Sequence, residues 1–458
     1  MTATPPRLGT GTKLSYAVGN VGLQMLVAAM SFLLMIFYTD VALVPPAIAG
    51  AALLVGKFWD AVNDPLLGWM SDRTRSRHGR HRVYLLYGAL PLALAAAAVW
   101  MVPPGLSPLA AFVWIALTYT LFDTLMTLVQ LPYSALATEL TLDYDERTSL
   151  TAFASMGALL GFVGGSVLMP LLVRASPDAR TGYALAGLCF GVFAGLCVAW
   201  VAWRVREPAH CLRPPATHPP MSMAASVQRT LQVTLHNRPF VLLVGAVGLV
   251  RLGLTLVQGA LAYFVVYRLQ GDKSDLPRFM GILLLVVGVS LFGWKRVVDG
   301  WEKSRTYVLG MGAHWIVPFS MVPDTIDHGH MQAGERTTGM YLGFYGLVDK
   351  LARTLATVLI AGMLDWTGYA PNVPQGDQAL QGIALMTGPL HALCLLLAIP
   401  LLLAYPITRA QHATIRQSVD TGIAPPALQS GGMGSTGPEG CTTRSATQNG
   451  CAQDARAA

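Results

Sequence analysis

The chain is 458 residues long, enough for two or three soluble domains, yet 53% of it is hydrophobic and only 12% is charged. That leaves too little polar surface for a soluble enzyme of this size. The formal charge of +7 comes from Lys and Arg in short clusters between apolar runs, which reads as membrane orientation and not as a nucleic-acid-binding face.

The apolar runs are about 20 residues long, the length at which a helix crosses the hydrocarbon of a bilayer. In chain order they cover Leu14 to Thr39, Pro46 to Met70, Val83 to Met101, Leu109 to Leu131, Leu150 to Val173 and Tyr183 to Trp203. Residues 1–13 are polar, without the apolar core of a signal peptide, so the first span is expected to direct insertion. The first bundle is thus expected at 14–203 and a polar, Pro-rich linker at 204–238, within which Met221 to Leu235 suits a surface helix. A second bundle follows at 239–405, with runs at Phe240 to Tyr267, Phe279 to Trp294, Tyr307 to Pro323, Met340 to Leu364 and Ile383 to Tyr405. Residues 406–458 are rich in small and polar residues and are expected to be a disordered tail.

Arg7 and Lys13, then Arg73, Arg75, Arg77, Arg80 and Arg82, then Arg204, Arg206 and Arg213 fall on one side under this count. The rule that cytoplasmic loops carry Lys and Arg puts the N-terminus and the linker in the cytoplasm. Trp69-Met-Ser-Asp72-Arg73 leading to Arg82 is faintly echoed by Val297-Val-Asp299 leading to Arg305, as expected of two related bundles. The six cysteines show no paired spacing, which argues against a disulfide framework or a metal site. The expected fold is an all-α polytopic membrane protein of two helical bundles and about 11 spans.

Chemistry is concentrated where charge interrupts these runs. Asp60 and Asp64 sit inside the second span, and their four-residue spacing puts them on one helix face. Carboxylates inside a membrane are costly, and by default they mark an ion or solute pathway. Hard oxygen ligands suit Na⁺ and a crowded pair equally suits a proton, whereas neutralisation by Lys57 and a buried Arg would make the pair a brace between helices. Asp72, Arg73 and Arg77 lie in the short loop Gly68 to Arg80, where Asp72 can accept from helix ends or Arg residues and gate that side. Gly157, Gly161 and Gly165 form a small-residue ladder for close helix approach. Arg251 and Gln258 are a polar pair in the seventh run, expected near the cavity, with Arg251 neutralising an acid.

Ordered motifs extend along most of the chain. Lys13-Leu-Ser-Tyr16, Phe37-Tyr-Thr-Asp40, Trp59-Asp60-Ala-Val-Asn63-Asp64-Pro65, Thr74-Arg75-Ser-Arg77, Leu131-Pro-Tyr133-Ser134, Leu142-Asp-Tyr-Asp-Glu-Arg147, Asp324-Thr-Ile-Asp327, Gly334-Glu-Arg336 and Gly368-Tyr-Ala-Pro-Asn372 together resemble the glycoside, pentoside and hexuronide cation symporters, the melibiose-permease-like branch of the major facilitator superfamily. The resemblance implies a monomeric, multi-pass protein of the cytoplasmic membrane. Such a protein carries a sugar or sugar-like solute with Na⁺ or H⁺ by alternating access and performs no enzymatic chemistry.

The resemblance assigns Asp60 and Asp64 to cation binding, with Asn63 between them and Gln130 at the place of a further acid. It assigns Lys350 and Trp315 to the central cavity on the solute side, joined by Ser134 of the fourth-span motif. Three positions depart from the melibiose-carrying pattern: Gln24 and Gln130 stand where carboxylates grip sugar, and Ser155 stands where an arginine does. Asp123, two turns before Gln130, either supplies an acid from the same helix or, as the favoured expectation, faces elsewhere. Only the run Tyr307 to Pro323 occupies the place of two family spans, which leaves 11 where the family has 12. A broken or re-entrant segment there, followed by the charged stretch Asp324 to Arg336, is the favoured expectation. A transporter-fold protein that transports nothing, a sensor or scaffold, is the alternative.

Overall fold

The computed structural model describes residues 8–74, 76–77, 79–140, 144–207, 232, 234–271, 275–283, 285–286, 289–290, 307, 317–333, 338–408 and 411. The long described elements are helices: α1 Thr10–Ile36, α2 Pro46–Arg73, α3 Arg82–Val99, α4 Pro108–Leu140, α5 Tyr144–Arg174, α6 Ala179–Arg204, α7 Arg238–Tyr263, α8 Val317–Ala333, α9 Thr338–Trp366, α10 Asp377–Thr387 and α11 Pro389–Leu403. Helices α1 to α6 pack on one another, chiefly α1 on α5 and α6, α3 on α4 and α6, and α2 on α4. Helix α7 gathers α8, α9, α10 and α11 around itself, and α1 with α7 and α2 with α9 join the two bundles.

Seven segments among the described residues are long and apolar enough to cross a membrane. The two longest helices outside that set are α2 and α9. These two carry Lys57, Asp60 and Asn63, and Asp349, Lys350 and Arg353. Lys57, Asp60, Asp349, Lys350 and Arg353 line the space between the bundles, where Asp60 and Lys350 pair with each other and the others with neighbouring charges, so these groups are not presented to lipid.

Close approach needs small residues, and the ladder on α5 supplies them. A Cβ at Gly157, Gly161 or Gly165 would collide with the carbonyl oxygen of Ala17, Val21 or Met25 respectively, so the α5 backbone lies directly on that of α1. Helix starts are capped where polar side chains reach them. Asp178 accepts from the Thr181 amide at 2.9 Å, a bond that holds its carboxyl below the usual range, and Asn237 accepts from the Phe240 amide at 3.2 Å. Helix α3 is capped from a distance, because Glu207 beyond α6 accepts the amides of Arg80, His81 and Arg82 at 2.6–2.7 Å.

The first helix of each bundle ends in the same way. Helix α1 runs into a π-helical turn at Phe37–Val41 and α7 into one at Phe264–Arg268. Two residues beyond each turn stands a left-handed residue, Leu43 with φ 59° and Gln270 with φ 51°. This is an internal repeat in three dimensions. The sequence echo around Asp299 lies outside the described residues.

Three boundaries differ from the expectation. Helix α2 continues through Asp72 and Arg73, which therefore occupy its last turn and not a loop; their side chains lie outside the described residues. Residues 324–333 are helical as part of α8, because one face carrying Met321, Val322, Asp324, Thr325 and Ile326 is buried. The Asn237 side chain also donates to the Thr325 carbonyl at 2.8 Å. The apolar run ends at Pro323 in the sequence, but the helix continues past it to Ala333. The last run is broken at Gly388 (φ −116°, ψ −86°) into α10 and α11, where Pro389 offers no amide to continue the ladder. Most of Tyr307 to Pro323, and with it the re-entrant reading, lies outside the described residues, as does nearly all of Met221 to Leu235.

Candidate functional site

A cavity of about 420 Å³ lies between the bundles, walled by α1, α2 and α4 on one side and by α7 and α9 on the other. Of the residues singled out in the sequence, Gln24, Asp60, Gln130, Ser134 and Lys350 line it. Asp60 is 3% exposed, and Lys350 Nζ donates to its Oδ1 at 2.9 Å, a bond between residues 290 positions apart that ties the two bundles together. Thr127 Oγ1 lies 3.4 Å from the same carboxylate oxygen. One turn along α2, Asn63 is 1% exposed and its amide nitrogen has no partner among the described residues. The backbone of α2 passes through Asp64, whose side chain lies outside the described residues, as does all of Trp315.

Two expected positions fall elsewhere. Ser155 is exposed on α5 and is not among the cavity residues. Arg77 is exposed in the turn after α2, within the stretch expected of it. Gln258 does not line the cavity, whereas its companion Arg251 is buried and gives its Nε to Asp349 Oδ1 at 2.5 Å.

The sequence reading missed much of the charge. Asp123 does face the cavity, and Lys57 lies 3.4 Å from it and 5.1 Å from the centre of the Tyr119 ring. Arg353 donates through Nε to Asp349 Oδ2 at 2.8 Å, and Thr255 and Thr357 line the same wall. The signal was present: Asp349, Lys350 and Arg353 are three charges in one turn of a helix otherwise as apolar as its neighbours.

A second cross-bundle assembly lies where α1, α7 and α9 finish. The Asp40 carboxylate is 5% exposed and accepts from the phenols of Tyr267 and Tyr369. The Thr39 hydroxyl lies 2.8 Å from both Asp40 Oδ1 and the Tyr263 phenol, so Tyr263 donates to Thr39 and Thr39 to Asp40. Asn372 adds its side-chain amide to the Asp40 carbonyl at 2.6 Å and its backbone amide to the Tyr267 oxygen at 3.0 Å. Asn372 adopts φ 60°, a conformation that asparagine tolerates better than most residues. Burial, and then the adjacent Asp40 charge, push the Tyr369 phenol far above the ordinary tyrosine range, which keeps it a donor.

Two helical bundles around a central polar cavity, with buried charges paired across the gap, define a membrane transporter of the major facilitator type. The family model described as "MFS/sugar transport protein" matches residues 15–316 and 310–409, and the chain belongs to that family. It is 27% identical to an uncharacterized symporter of Synechocystis over 89% of this chain and 96% of the relative. It is also 27% identical to a putative sulfoquinovose importer of Escherichia coli over 82% of this chain and 86% of that one. A solved structure from work on proton-dependent oligopeptide transporters shares the fold with a TM-score of 0.61 at 13% identity, covering 89% of this chain and 99% of that one. The protein is a multi-pass membrane protein of a transporter family, and such transporters are not enzymes.

Proposed function

We propose that the protein is a symporter that couples one cation, Na⁺ or H⁺, to a sugar or sugar-like solute and alternates access by rocking its bundles about the cavity. The observation that carries this reading is the Asp60–Lys350 bond across the gap. A cation that binds Asp60, helped by Asn63, Asp64 and Gln130, competes with the Lys350 ammonium for the same oxygens. Cation binding therefore releases the tie between bundles, and cation loss restores it. Ion occupancy is in this way linked to the relative position of the halves.

On the solute side, Gln24, Gln130 and Ser134 offer neutral hydrogen bonds of the kind that hold sugar hydroxyls, and Trp315 is assigned a stacking role by the family motif. The sugar named for the Escherichia coli relative supports a sugar-like solute. The positive loops place the N-terminus in the cytoplasm, which makes the Asp40 end the extracytoplasmic one. On this reading Asp72, Arg73 and Arg77 gate the opposite side.

Solute uptake into proteoliposomes tests the proposal. An imposed Na⁺ or proton gradient should drive accumulation, and uptake that only equilibrates under both gradients would remove cation coupling. The missing carboxylates at Gln24 and Gln130 give a second expected outcome: melibiose should neither be carried nor compete. Efficient melibiose uptake would show that these amides do not occupy the sugar-gripping positions.

A further inference from the structure

The charged side chains described around the cavity are engaged to different extents. Lys57 faces Asp123 and Lys350 faces Asp60. On the opposite wall a single carboxylate, Asp349, serves two guanidiniums, Arg251 at Oδ1 and Arg353 at Oδ2. Arg251 is buried behind the wall, while Arg353 is about one third exposed and lines the cavity. Arg353 gives only its Nε to Asp349, so the terminal nitrogens of its fork make no bond among the described residues.

We propose that these terminal nitrogens form an oxyanion subsite, and that the solute carries a carboxylate, sulfonate or phosphate group. This inference rests on the reading that the cavity receives the solute. A guanidinium fork matches two oxygens of such a group in parallel hydrogen bonds, which an ammonium or an amide cannot do.

The neighbouring hydroxyls fit the same solute. Thr357 spends its proton on the Arg353 carbonyl at 3.0 Å and Thr255 on the Arg251 carbonyl at 2.9 Å, so both present lone pairs that accept from solute hydroxyls. The cavity is then polarised, with neutral amides at Gln24 and Gln130 on one wall and a guanidinium on the other. One cation carried with one monoanion moves no net charge.

The test compares uncharged sugars with their anionic twins. The purified full-length protein in detergent is heated with D-glucose or D-galactose and, separately, with the corresponding uronates and 6-phosphates, at matched ionic strength. At least one anionic member should raise the melting temperature where its neutral twin does not. R353Q should weaken that anion roughly 10- to 100-fold. R353K should retain part of the effect, and R278Q, which alters an exposed arginine away from the cavity, should retain all of it.

Equal stabilisation by the neutral twins, no stabilisation by any anion, or undiminished anion binding in R353Q overturns the proposal. The twin comparison on the unaltered protein decides the matter if R353Q does not fold. None of these readouts uses a gradient, so an uncoupled transporter still gives the positive result. A symporter of neutral solutes fails this test and still accumulates.

Discussion

Asp60→Asn will reduce gradient-driven accumulation to simple equilibration while the protein still inserts and purifies. In proteoliposomes with a tenfold cation gradient, the unaltered protein can concentrate a co-transported solute up to about tenfold, since each factor of ten corresponds to about 1.4 kcal/mol. The variant should reach a ratio of one. Asn keeps the size of Asp but removes the charge for which the cation and Lys350 compete. The reciprocal change has the opposite sign on binding: Lys350→Gln removes the competitor, so stabilisation by Na⁺ over choline, or the apparent proton affinity, should rise even as coupling is lost. Normal coupling in Asp60→Asn, or unchanged cation affinity in Lys350→Gln, would reduce this bond to a brace between helices.

Gly161→Leu should leave almost no folded protein. The first added carbon already collides with the Val21 carbonyl oxygen, and that oxygen belongs to helix backbone that cannot rotate away. Helices α1 and α5 would have to part along their whole contact, which also pulls Gly157 and Gly165 from Ala17 and Met25. Overpacking a core commonly costs about 1–3 kcal/mol where side chains can give way. Here only backbone meets backbone, so the cost should exceed that range. Size-exclusion chromatography of the detergent-extracted variant should show aggregate in place of a single peak. Gly343→Leu, where nothing lies within 4 Å, is the matched control and should elute normally.

The sequence displayed the architecture because spans are long, apolar and separated by charge, signals that one chain carries without knowledge of its neighbours. It displayed Asp60 and Lys350 for the same reason: a charge in an apolar run is conspicuous. What it concealed were relations between distant segments. Lys13 meets Glu146 at 2.8 Å, Tyr16 and Tyr133 stack and exchange hydrogen bonds with each other's carbonyls, and Trp59 donates to Thr124. Several of the short motifs that carry the family resemblance are halves of such contacts, which explains why no motif persuades by itself.

Asp123 shares a helix face with Gln130 by its seven-residue spacing, but its pairing with Lys57 of another helix is what holds it at the cavity, and that relation is not visible in the sequence. The continuation of α8 from Asp324 to Ala333 is hidden by its charge, since the sequence does not show that Asp324, Thr325 and Ile326 are buried. Ser155 was misplaced because its position rested on the family pattern alone.

The Asp40 assembly bears on which side of the membrane the resting protein serves. Each charge-assisted bond of this kind is worth about 1.5–3 kcal/mol, so losing one shifts the ratio of two conformers by roughly 10- to 100-fold. Bulk water can replace every donor around Asp40 once the end opens, so each bond favours the closed form only by this net amount. The resting population is therefore poised. Under the proposed alternating access, loss of a single phenol, that of Tyr369, should move the protein from waiting for solute on one face to waiting on the other, without a residue in the cavity being touched.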